Sequence, residues 1–359
     1  MKIGIMTFHN AENYGAVLQV YALKRYLQAT DPSYQVDIVD YRCPLIEEAH
    51  QYFRPLSHFK HKGVKKLISF LLQILYFPKR VKVKAVFRSF VVKFLEPKKN
   101  NFDVYDYVIY GSDQIWNPSL TGNDTTYIGN GCTGKKIAYA ASDGGELVFG
   151  EETISLLRDF QAISCREKSL SHKLSQSLPE KSVETVCDPV FLLSKEEWIS
   201  FAQSPKERNY LLIYKISENK DIDKEAEDFA KKWGKQVIQI VYVKSVKKFF
   251  CFTQKFVSEI TPNEFVGYFA HADFILTTSF HGSAFSIILE KDFYTFQFAH
   301  RNERITDLFN ELELTERFVS HIPCYDTLEE YAVDWTQVSQ KKEEYRQRSV
   351  EFLSRNLVW

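Results

Sequence analysis

What this 359-residue chain lacks closes several classes of function. It has no net charge: 46 Lys and Arg stand against 46 Asp and Glu, so nothing calls for a nucleic-acid partner. Cysteine is sparse. Cys43, Cys132, Cys165, Cys187, Cys251 and Cys324 form no CxxC, which fits a reducing cytoplasm better than a disulfide framework. There is no HExxH, no pair of histidines at metal spacing and no Walker loop, and the opening strand, loop and helix over residues 2–27 lack GxGxxG. A metal, ATP or a dinucleotide therefore has no support, and no cofactor is expected. Long apolar runs are missing too. Residues 1–6 are too short and too soon broken to be a signal peptide. Residues 67–77 are the longest membrane-span candidate, and Pro78 is expected to end that run.

What the chain does have is alternation. Apolar runs at 2–7, 36–40, 107–110, 136–141 and 162–165 read as buried strands, and residues 16–27 have helical spacing. Residues 1–27 are thus strand, polar loop, helix, the opening of a Rossmann-like unit. The polar stretch 204–208 reads as a linker. Beyond it the alternation restarts, with strands at 210–214, 236–242, 274–276 and 293–298. Helices are expected at 221–233, 262–270, 306–311 and 335–357. The length suits two domains, expected over 1–203 and 209–334, with a C-terminal helix over 335–359.

Candidate site residues cluster where strands end. His281, Gly282 and Ser283 lie between an apolar strand and an apolar helix. Free N–H groups and the positive helix end make such a junction an anion site. Gly282 would let a ligand approach the backbone closely. The bland alternative is a His capping an ordinary helix. After strand 107–110 come Asp113, Gln114, Trp116 and Asn117. The polar three offer donors and acceptors to a sugar, and Trp116 a stacking face. Alternatively Asp113 caps the next helix. Arg166 follows strand 162–165 and suits phosphate or carboxylate, or else pairs with Glu167 or Asp188. Nothing near Cys165 would activate it, so it reads as a structural thiol.

Residues 60–99 differ in character. They carry twelve basic residues, from Lys60 through to Lys99, against one acid, Glu96, with apolar residues between. Such a segment can lie on an anionic membrane surface. The alternative is two ordinary helices with solvated lysines.

Together these residues resemble the polysaccharide pyruvyl transferase family. The resemblance runs through Asn13-Tyr14-Gly15, Gly111-Ser112-Asp113-Gln114, Ser164-Cys165-Arg166-Glu167, Cys187-Asp188-Pro189 and Thr278-Ser279-Phe280-His281-Gly282-Ser283; residues 60–99 have no match. It implies an α/β protein of two Rossmann-like domains facing a cleft, GT-B-like. It also implies a donor, phosphoenolpyruvate, and a glycan or lipid-linked sugar acceptor whose two hydroxyls become a pyruvate ketal. The family's donor-binding basic residues fall on Arg166 and His281. A further family Lys has no clear counterpart, and Arg301 or Arg304 is expected to replace it. Asn13 and Tyr14 join the binding residues. His281 is the expected general acid, since His is easily poised near neutral pH. Asp113 would take a hydroxyl proton, and His9 is a second candidate for either role. The enzyme is expected in the cytoplasm, at the inner membrane face. The competing readings are a GT-B glycosyltransferase using a nucleotide sugar and a non-catalytic membrane-associated module of polysaccharide assembly.

Overall fold

The computed structural model describes residues 1–49, 64–99, 101–145, 149–216, 219–242, 253–297 and 303–357. Two parallel sheets carry the fold. The first holds β1 (Lys2–Met6), β2 (Gln35–Asp40), β3 (Lys98–Lys99), β4 (Tyr107–Tyr110), β5 (Lys135–Ala141), β6 (Ala162–Cys165) and β7 (Val183–Thr185). The second holds β8 (Tyr210–Tyr214), β9 (Gln236–Ile240), β10 (Gln254–Val257), β11 (Phe274–Thr277), β12 (Phe293–Phe296) and β13 (Phe318–Val319). Their orders are β3-β2-β1-β4-β5-β6-β7 and β10-β9-β8-β11-β12-β13. Each is doubly wound, so each reverses its strand order once, between β1 and β4 and between β8 and β11. Helices cover both faces of such sheets, which is why the central strands are apolar on both sides. Every residue of β4, β8 and β11 is buried.

The helices begin where the sequence caps them. Asn13 accepts from the Ala16 N–H at the start of Tyr14–Thr30. Thr261 and Glu264 form a reciprocal capping box at Pro262–His271, with Pro at the first helical turn. Gly234 ends Lys220–Trp233 in the left-handed conformation that glycine adopts without strain.

One expectation changes. Where two helices were expected, a single α-helix, Val64–Phe90, continues through Pro78 among the described residues. An interior proline costs about 3 kcal/mol. Packing of the later half offsets that cost, because Val83, Phe87 and Phe90 are buried against the first domain. The expected C-terminal helix is present as Trp335–Asn356. It crosses back to the first domain, where Ser349 Oγ accepts from the Cys187 N–H at 2.8 Å. Tyr345 OH donates to Val186 O at 3.3 Å, and the Tyr139 and Phe352 rings sit 6.3 Å apart. Among the described residues, no helix is long and apolar enough to cross a membrane.

Candidate active site

Ligands of doubly wound sheets bind beyond the C-terminal strand ends, near the order reversal. Here those ends of both sheets feed one seam. Asp113 comes from the turn after β4, Ser142 follows β5, Arg166 and Glu167 follow β6, and Asp188 lies just past β7. From the second sheet come Phe280 and His281 on the helix Phe280–Ile288, and Arg304 on the helix Glu303–Leu312.

Arg166 is the centre of the cluster and only 3% exposed. Its Nη1 donates to Asp188 Oδ2 at 2.6 Å. Its Nε lies 3.6 Å from Glu167 Oε1 and its Nη2 3.9 Å from Asp113 Oδ1. Both gaps are too long for hydrogen bonds, and both nitrogens lack a hydrogen-bond partner. The guanidinium lies 4.9 Å from the Phe280 ring centre, a cation–π contact across the seam.

Three further groups complete the electrostatics. Burial works against ionising Asp188, but His281, Arg166 and the Val190 N–H together hold its carboxyl well below the usual range. Glu167 goes the other way. Burial pushes its carboxyl up, and the opposing charges of Arg166 and Arg304 only partly counter this. Glu167 Oε1 accepts from Ser142 Oγ at 2.5 Å, while its Oε2 has no partner. His281 Nε2 stands 3.6 Å from Asp188 Oδ2, also without a hydrogen bond. A buried polar atom left unpaired costs about 1–3 kcal/mol. Four of them, Arg166 Nε and Nη2, Glu167 Oε2 and His281 Nε2, lie within this one cluster.

Gly15 explains how the halves come so close. A Cβ there would stand 2.1 Å from His281 Nδ1. Only glycine lets the first helix rest against that imidazole. Beside it Tyr14 stacks on Phe265, ring centres 4.5 Å apart, and donates to Ile260 O at 3.0 Å.

Of the expected site residues, the seam gathers Asp113, Arg166, His281 and Arg304. Gln114 joins them, its amide 3.0 Å from the Arg304 guanidinium with its oxygen turned that way. Asn117 Nδ2 lies 2.9 Å from the Gln114 amide, and Asn117 Oδ1 caps the helix Pro118–Thr121. The capping role considered for Asp113 thus belongs to Asn117. The other candidates sit differently. Trp116 presents no stacking face: it is buried, and its indole N–H donates to Tyr127 O. Tyr14 is a strut between the domains, and Asn13 is a helix cap. Ser283 is fully buried, bonded to Ser279 O and to Thr295 Oγ1. Gly282 makes room for Thr277, whose Oγ1 a Cβ would meet at 2.1 Å, rather than for a ligand. His9 is 1% exposed and directs Nε2 to Asp40 at 3.0 Å, away from the Arg166 cluster's own bonds. Arg301 lies outside the described residues. Cys165 is fully buried, and burial pushes its thiol far above the ordinary value, which makes it inert.

Sequence reasoning took Glu167 and Asp188 only as partners for Arg166, and overlooked Phe280 and the need for Gly15. The available signal was weak: an acid beside the basic residue at one strand end, and an Asp-Pro pair after another.

Two doubly wound parallel sheets meeting at a charged seam, with the last helix returning to the first domain, define a GT-B-like α/β protein. The chain belongs to the polysaccharide pyruvyl transferase family, whose model matches residues 13–297. Among solved structures it is similar in fold to a UDP-GlcNAc 2-epimerase from Neisseria meningitidis bound to UDP-GlcNAc, at 12% identity over 97% of this chain and 94% of that one, TM-score 0.46. It is similar also to S. aureus MnaA with UDP, at 10% identity over 99% and 91%, TM-score 0.48. A third is E. coli ADP-heptose lps heptosyltransferase II, at 12% identity over 98% and 100%, TM-score 0.38. No curated protein matches the chain.

Proposed function

We propose that the protein moves the pyruvyl group of phosphoenolpyruvate onto two hydroxyls of a sugar in a surface polysaccharide or its lipid-linked precursor. The products are a pyruvate ketal and phosphate. The observation that carries this reading is Arg166, held at the seam with two guanidinium nitrogens unpaired, in a member of this family.

The chemistry follows from the residue types. Phosphoenolpyruvate is a compact polyanion, and Arg166 with Arg304 offers planar donors to its phosphate and carboxylate. A proton passes from His281 Nε2 to the methylene carbon, which becomes a methyl group, and the central carbon becomes electrophilic. A sugar oxygen bonds to that carbon and gives its proton to Asp113, the more open acid of the cluster. The C–O bond to phosphate then breaks, and phosphate leaves with the electron pair. The second hydroxyl adds and gives its proton back to His281, the proton on Asp113 passes to phosphate, and the ketal closes. Asp188 fixes Arg166 and faces His281, so it positions both donor-binding groups. Arg166 and Asp188 are almost wholly covered, so donor entry calls for the two domains to part.

Phosphate release from phosphoenolpyruvate, assayed against galactosides, mannosides and lipid-linked sugars, tests the reaction. Release with at least one acceptor, and a ketal methyl signal in the product, is the expected result. Silence across the panel, with a thermal shift from uridine or cytidine diphosphate but none from phosphoenolpyruvate, would establish a nucleotide-sugar glycosyltransferase instead. Silence in both, with no donor bound, would leave a non-catalytic module. Arg166→Lys keeps the charge and loses the fork. It should raise the KM for phosphoenolpyruvate about ten- to a hundredfold, the worth of a hydrogen bond to a charged group.

A further inference from the structure

The helix Val64–Phe90 is two things end to end. Its second half is anchored: Val83, Phe87 and Phe90 are buried, and the turn that follows is clamped by the buried Lys24, which donates to Leu95 O at 2.9 Å. Its first half holds large aliphatic side chains in the open. From Phe70 to Lys82 no residue is buried. Leu71 is 53% exposed, Leu72 37%, Ile74 49% and Leu75 60%. Positions 71, 74 and 75 recur at helical spacing, so they share one face. The helix also carries seven basic residues and no acid.

We propose that this arm docks the protein on an anionic bilayer surface, apolar face down. Three arguments select that occupant. The uncharged run over residues 67–78 holds twelve residues, about 18 Å of helix; that is too short for a hydrocarbon core of about 30 Å, so the helix lies in the interface rather than across it. Apolar residues flanked by cations fit a surface that offers both acyl chains and anionic headgroups. A second copy of the chain fits poorly, because it would bring seven cations against seven with no acid on either helix to pair them. The arm's root is fixed by packing, so the exposed half is presented at a set angle to the catalytic seam. Docking of this kind stands whether or not the proposed reaction does.

Vesicle sedimentation of the full chain tests it. One set holds phosphatidylcholine alone, the other phosphatidylcholine with an equal share of phosphatidylglycerol. The expected result is about tenfold more protein pelleted with the anionic set at low salt, with release at high salt. Leu71→Gln with Leu75→Gln should abolish pelleting, and Lys65, Lys66 and Lys82→Glu should weaken it, with melting curves unchanged. Equal recovery in the supernatant from both sets overturns the proposal. So does equal binding to both. A dimer in sedimentation velocity that Leu71→Gln with Leu75→Gln dissolves, without vesicle binding, overturns it in favour of self-association.

Discussion

The seam around Arg166 and the arm around Leu71 break the same rule in opposite directions. At the seam, charged groups are buried: Asp188 is fully covered and Arg166 nearly so. On the arm, large aliphatic side chains face water. Each inversion carries a free-energy cost that folding alone gives no reason to bear. Buried charges cost several kcal/mol unless paired, and this cluster is paired only in part. An exposed leucine forgoes about 1.5–3 kcal/mol of burial. The lesson is that site and surface should answer mutation differently. Changes at the seam strike chemistry and stability together. Changes on the arm leave both alone and alter only where the protein sits.

The sharpest break comes at His281. His281→Ala should lower turnover by about two to four orders of magnitude with circular dichroism unchanged, and near-normal turnover in a folded variant would remove it as the acid. Next is Asp188. Asp188→Ala leaves Arg166 buried without its one strong partner, which should cost about 3–5 kcal/mol in urea unfolding. The same residue predicts a pH signature. Its carboxyl is held well below the usual range in the folded state, so its stabilising contribution is complete above about pH 4, where the unfolded carboxyl titrates, and fades as pH falls beneath it. The stability gap between wild type and Asp188→Asn should therefore narrow below that pH; a gap constant down to pH 2 would deny the coupling to Arg166 and His281.

Gly15→Ala probes the same seam from the opposite wall. Its new methyl would displace the imidazole, and a displacement of about 1 Å costs about a hundredfold in rate. Turnover should fall with KM for the donor less affected. At the small end is the arm. Leu71→Gln with Leu75→Gln should shift unfolding by less than about 0.5 kcal/mol per site, as at other exposed positions. A loss of several kcal/mol there would mean that the arm is packed, and the contrast between the two regions would fail.

Much of the fold was legible because it is periodic. Buried parallel strands are short apolar runs, and those at β4, β6 and β8 match the expected residues end to end. Thr261 and Gly234 marked helix ends through local chemistry that acts within a few residues. The short edge strands β3, β7, β10 and β13 escaped, since two to four residues carry no period of their own. Pro78 misled for a related reason: local propensity disfavours a helix there, and distant packing of Phe87 and Phe90 overrode it.

The sequence by itself determined two wound sheets and the strand ends at which Arg166 and His281 lie. Only the tertiary structure decided which neighbours join them there. Trp116, Ser283 and Tyr14 belong to the same motifs as the site residues, yet they turn into the core. Gly15, Glu167 and Asp188 turned out to shape the seam. The reason is physical: a motif reveals which strand end a residue occupies, but contact across the seam joins side chains more than a hundred positions apart in the chain. Gly15 against His281 is such a contact, and only closure of one domain on the other brings it about.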